Sequence, residues 1–215
     1  MLSRRDLLLA GALAPVATSS FAAGRTYVAG RDYLTVSPQA PTAQGKIEVV
    51  EFFAYTCPHC LQFQPTFEAW TKNKPEDVTI RVCPVAWQPK YMPFTETYFA
   101  LEAMGLLEKH SLPFFESVIY QTREYNFNAA TADIRAFMVS QGVDGAAWDK
   151  AMSSFGVKNK ARIASQLWRA YQIDSTPMVG VGGLFTTGPH LVGTRQATAG
   201  CIDYLVEQVR RARHG

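Results

Sequence analysis

The sequence predicts an α/β fold: a central mixed sheet with an all-helical domain inserted into it. Three observations carry this. Residues 47–55 form a nearly continuous run of β-branched and aromatic side chains, as a strand buried on both faces requires. From 92 to 170 the spacing is helical only. Strand character then returns at Met178-Val179-Gly180-Val181, so strands on either side of the helical block can share one sheet.

Composition sets the bounds. A chain of 215 residues is one domain, or one domain with a large insertion. It is 47% apolar and 18% charged, enough for a real core. The net charge of +3 is small, and no Lys/Arg cluster is interleaved with aromatics, which argues against nucleic acid as a partner. Residues 1–22 read as a cleaved export signal rather than as fold. Arg4-Arg5 precedes an apolar run broken only by Gly11 and Pro15, and Ser20-Phe21-Ala22 places small residues for cleavage after Ala22. Ser3-Arg4-Arg5-Asp6-Leu7-Leu8 also fits a twin-arginine signal, so both export routes stay open. The run is shorter than the ~20 apolar residues of a membrane span. Export to an oxidising compartment permits disulfides, and a chain of this size does not need them to fold.

Along the mature chain, Tyr33-Leu34-Thr35-Val36 is a possible edge strand and 37–45 a linker. After the buried strand, Thr56 is a candidate helix cap, and Pro58 stands where a helix start tolerates proline. Phe63, Phe67 and Trp70 give that helix one apolar face, with Pro65 expected to kink it. Val78-Thr79-Ile80-Arg81-Val82-Cys83 alternates as a second strand. Five stripes follow: Phe94, Tyr98, Leu101; Leu112, Phe115, Val118, Ile119; Ile134, Phe137, Met138; Trp148, Met152, Phe155; and Ile163, Leu167, Tyr171. Gly105, Gly142 and Gly156 separate them. Gly182-Gly183 is a hairpin turn before Leu184-Phe185-Thr186, and a last amphipathic helix spans about 196–211.

The chemistry centres on Cys57-Pro58-His59-Cys60 at the strand-to-helix junction. Unpaired N–H groups and the positive end of the helix dipole favour a thiolate there. A cysteine so placed is a better anion and leaving group, and a poorer holder of a disulfide. Structural zinc also uses Cys-x-x-Cys but needs four ligands, and no second pair accompanies this one, so no metal and no cofactor is expected.

Taken with Thr176-Pro177 before the returning hairpin, these residues resemble the thioredoxin superfamily and, within it, the DsbA family of periplasmic thiol:disulfide oxidoreductases. The likeness rests on Glu51-Phe52-Phe53, Cys57-Pro58-His59-Cys60, Gln62-Phe63, Phe114-Phe115-Glu116, Asp133-Ile134-Arg135 and Ser154-Phe155, and covers about residues 27–210. It implies a thioredoxin-like domain in two parts, 23–91 and 171–215, around an inserted helical domain, 92–170. It implies that Cys57 is the exposed nucleophile, Cys60 its buried partner, and His59 a donor that stabilises the Cys57 thiolate. Thr176 and a cis Pro177 would face the dithiol and pair with an extended substrate chain. Glu51, by strand parity, would face the core and relay a proton to Cys60, or serve as a salt-bridged structural acid.

The resemblance implies a monomeric periplasmic dithiol oxidase. It would donate the Cys57–Cys60 disulfide to newly exported, unfolded proteins and be reoxidised by a quinone-linked membrane partner, DsbB. Trp87 and Pro177 are candidate walls of an apolar groove beside the dithiol. Two departures qualify the pattern. Isomerase-like relatives more often carry Thr before the cis proline, and no lysine stands opposite Glu51, where the strand offers Val82 and Arg81. A reductase or isomerase on the same fold therefore stays open. So does a binding or chaperone module with a structural Cys57–Cys60 bridge. Cys83 and Cys201 are extra and form a possible second disulfide if the last helix crosses the second strand. His110 and His214 read as exposed, and His190 as a loop residue able to flank the groove.

Overall fold

The burial of strand β2 (Ile47–Phe53) organises the molecule: all seven residues are buried. The computed structural model describes residues 25–121 and 125–214, so the expected signal at 1–22 lies outside the described residues. Before β2 runs β1 (Leu34–Thr35); after it come α1 (Pro58–Lys72) and β3 (Val78–Pro84). A single 3-10 turn, Pro89–Tyr91, leads into five helices: α2 (Met92–Ala103), α3 (Leu107–Ile119), α4 (Ala130–Ser140), α5 (Gly145–Ser153) and α6 (Phe155–Ala170). The chain closes with β4 (Met178–Val181), β5 (Phe185–Thr187), a short α7 (Pro189–Val192) and α8 (Arg195–His214).

The sheet order is β1-β5-β4-β2-β3, with β2 and β3 parallel and the other pairs antiparallel. This is the mixed sheet expected, and β2 lies inside it. Strand alternation divides the core. Val50 and Phe52 join the cluster formed with α2–α6, whereas Ile47 and Val49 join Phe63, Phe67 and Trp70 of α1 and the apolar face of α8. The Trp70 indole N–H donates to Asp203 at 2.8 Å, fastening α1 to α8. At the end of the helical block, the Tyr171 ring packs directly on β4. A β-carbon at Gly180 would fall 2.3 Å from its Cε1, and its hydroxyl accepts the Gly183 N–H at 3.0 Å.

Several sequence expectations are revised. The inward face of α3 is His110, Phe114, Phe115 and Val118, so Leu112 points outward, 45% exposed, and His110 is buried rather than exposed. The inward face of α6 is Val157, Ala161, Ala164 and Leu167; Ile163 lies at the surface and Phe155 is 84% exposed. Alanines take the contact because α6 packs close against α2 and β3. The His214 side chain lies outside the described ones.

The possible Cys83–Cys201 disulfide is not formed, and both residues are free thiols. Helix α8 packs over β2, β4 and β5 and against α1, rather than across β3. Cys83 sits in the cluster on the helical side, its Sγ 3.4 Å from the Ala164 carbonyl of α6. Cys201 sits in the cluster on the other face, its Sγ 3.4 Å from the Thr187 hydroxyl and 3.7 Å from the Asp32 carbonyl. The sheet separates them.

Candidate active site

Helix α1 is capped by the first cysteine of the Cys-Pro-His-Cys motif. Cys57, rather than Thr56, occupies the N-cap, with φ −108° and ψ 109°, and Pro58 opens the first turn. The Cys57 Sγ accepts the Cys60 N–H at 3.3 Å, so a sulfur does what a hydroxyl or carboxylate oxygen does at other helix starts. The second contact of that sulfur is the Thr176 carbonyl, also at 3.3 Å, to which the thiol donates. Both cysteines are free thiols here, which is the reduced form.

The two sulfurs have opposite environments. Cys57 is partly exposed and Cys60 wholly buried. A hydrogen bond from Cys60 is the largest influence on Cys57. With further bonds from the Thr176 side chain and from the backbone of Cys60 and His59, it outweighs burial and lowers the Cys57 pKa to about 6. Burial and the adjacent Cys57 push the Cys60 thiol far above the ordinary range. At neutral pH one sulfur is therefore a stabilised anion and its neighbour a held proton.

The segment Ser175-Thr176-Pro177, with a cis Thr176–Pro177 bond, enters from the end of the helical block. It faces His59 across a cavity of about 430 Å³ that is also lined by Pro189, His190 and Arg195. Gly188 lets α7 approach this closely, since a β-carbon there would meet the Pro177 carbonyl and Met178 Sδ at 2.8 Å. Pro177 thus lines the groove as expected, but Trp87 does not. Its ring packs edge-on against Trp168, centroids 5.2 Å apart, beside a separate cavity with Ala86, Pro89 and Arg169. His190 does flank the groove, from α7 rather than from a loop. Arg195 was not anticipated. A cation at the first residue of a helix opposes the dipole, and that misplacement is the signal that could have found it.

Glu51 faces the core as its parity predicts. It pairs with Val82 on one side and Val179 on the other. Its Oε1 has no hydrogen-bond partner, and burial, with a smaller push from Glu68, raises its pKa from 4.5 to about 8. No ion pair reaches it among the described residues. Arg81 turns to Glu48 instead, at 3.9 Å, since both lie on the other face of the sheet. Among the described residues no group of three or more His, Cys, Asp or Glu side chains is arranged to hold a metal ion.

Residues 41–197 match the family model described as Thioredoxin. Over 95% of the chain and 96% of the relative, the sequence is 38% identical to the thiol:disulfide interchange protein DsbA of Bordetella parapertussis. The chain belongs to the DsbA family. The Pseudomonas aeruginosa DsbA is 31% identical over 97% of this chain and 98% of its own. A crystal structure of P. aeruginosa DsbA superposes with a TM-score of 0.79, covering 88% of this chain and 97% of that one. The oxidoreductase NmDsbA3 of Neisseria meningitidis gives 0.76 at 30% identity, over 88% of this chain and all of that one. As a DsbA-family member the chain is a protein thiol:disulfide oxidoreductase.

Proposed function

We propose that the chain is a periplasmic dithiol oxidase of newly exported proteins, with Cys57 as the sulfur that clients attack. The carrying observation is the asymmetry of the pair: an accessible, acidified Cys57 at a helix cap beside a buried, proton-holding Cys60. In the oxidised protein, a client thiolate attacks Cys57 Sγ. A client–Cys57 bond forms, the Cys57–Cys60 bond breaks, and Cys60 leaves as a thiolate that takes up a proton. Glu51, which holds its proton at neutral pH, supplies it by relay. A second client thiolate then attacks the client sulfur of the mixed disulfide. Cys57 leaves as the stabilised thiolate, and two electrons have passed from client to protein. DsbA proteins are themselves a standard example of a cysteine acidified in this way.

His59 contributes its backbone to the thiolate, and Thr176-Pro177 guides the client chain past Cys57. A quinone-linked membrane partner of the DsbB kind restores the disulfide. The signal at 1–22 is removed, and the mature chain works as a monomer, with the helical domain 92–170 set between the thioredoxin-like parts 23–91 and 171–215. A purely structural bridge is a poor reading of Cys57, because a staple gains nothing from an acidified, partly exposed sulfur. The residue Thr176 favours one second reading, an isomerase-like balance.

Equilibration with glutathione decides between these. An oxidase stays largely reduced at glutathione ratios that would oxidise an ordinary dithiol, whereas a strongly reducing equilibrium points to a reductase. Cys57→Ser should abolish oxidation of a reduced, unfolded client, and Cys60→Ser should trap client mixed disulfides. A fully active Cys60→Ser protein would show the assigned roles to be wrong.

A further inference from the structure

The groove beside the dithiol is apolar at its floor and carries the guanidinium of Arg195 at its rim. Pro177 and Pro189 supply the floor, and His59, His190 and Arg195 stand around it. None of its lining residues carries a carboxylate. The nearest one in sequence, Asp174, is taken up by the hydroxyl of Ser175 at 3.0 Å. Arg195 has no ion-pair partner among the described residues. Its guanidinium donates only to the neutral amide oxygen of Gln62 on α1, at 2.9 Å, which holds it towards the α1 side of the groove. An arginine that opposes the dipole of its own helix and lacks a carboxylate is a charge without a counter-charge. The two imidazoles add ring N–H donors whatever their protonation.

We infer that this rim selects clients with an acidic side chain close to the reacting cysteine, and that Arg195 determines the selection. The inference rests on the oxidase reading. A client joined to Cys57 must run past Thr176, whose carbonyl is 3.3 Å from the Cys57 sulfur. Residues flanking the client cysteine then enter the groove, where an Asp or Glu carboxylate meets Arg195 while the adjoining apolar stem lies on the prolines.

The test uses the full mature protein, oxidised, and three dithiol peptides that differ only in the residues flanking one cysteine: Glu, Lys or Gln. Rates are normalised to each peptide's reaction with a neutral small disulfide, which removes the effect of neighbouring charge on thiol reactivity. The Glu peptide should react about two- to five-fold faster than the Lys peptide at low ionic strength, the range open to one exposed ion pair. The ratio should shrink towards one as salt is added. Arg195→Glu should invert the order. Lys72→Glu, at the exposed far end of α1, makes the same change in net charge and should leave the order intact. A ratio of one in the wild type, or equal effects of the two substitutions, would overturn the assignment. Failure to oxidise even the Gln peptide would instead strike at the oxidase reading beneath it.

Discussion

Replacing Glu51 by glutamine should make the protein more stable at neutral pH, by an amount that depends on pH. The folded chain holds the Glu51 proton up to about 8, whereas an unstrained carboxyl releases it near 4.5. An acid whose folded pKa is raised adds stability that is fully present below the unfolded value. That stability is lost as pH rises, because the unfolded chain ionises while the folded chain does not. The slope is ~1.4 kcal/mol per pH unit across this window, which amounts to roughly 3 kcal/mol by pH 7. A glutamine side chain has no such slope, and its amide fits the same space. The assay is urea unfolding of reduced wild type and Glu51→Gln at several pH values between about 5 and 8. Cys57 titrates in the same window, but it does so in both proteins and cancels in the difference. The variant should gain on the wild type as pH rises. Parallel stability curves would refute the reasoning, and would mean that Glu51 ionises inside the fold with a partner.

Thr176→Val removes a side-chain hydrogen bond that favours the Cys57 thiolate, so the Cys57 pKa should rise above about 6; thiolate absorbance against pH reads this directly, and an unchanged or lower value would contradict it. In fully oxidised protein unfolded in guanidinium without reductant, Cys83 and Cys201 should both react with a thiol reagent, whereas silence from both would mean that they are bonded after all.

Local and periodic features were the legible ones. The continuous run that became β2, the Cys-x-x-Cys at its end, the Thr-Pro step and the glycine pair of the hairpin each state their role within a few residues. Helix faces were less legible where alanine or histidine takes the inner side, as in α3 and α6, because counting large apolar residues then rotates the stripe towards Leu112 and Ile163. The cap was misread because Thr56 is the better capping residue in general, and only the backbone shows that Cys57 holds the position. The place of Trp87 depends on which distant segments converge, and local patterns carry none of that; Arg195 offered only the weak local signal of a cation at a helix start. The same holds for Cys83 and Cys201, whose separation is set by the side of the sheet that α8 covers.

The contact between Tyr171 and Gly180 ties the surface of β4 to the stretch that carries Thr176. Tyr171 directly follows α6, and Thr176 comes five residues later, so the ring's seat on the sheet fixes where that stretch begins. A methyl group at 180 would fall 2.3 Å from the ring and evict it. The displaced stretch would carry away the carbonyl now 3.3 Å from the Cys57 sulfur. A residue that touches neither client nor cysteine thereby sets the place of Thr176, whose side chain favours the Cys57 thiolate, and alanine at position 180 should alter reactivity as well as stability.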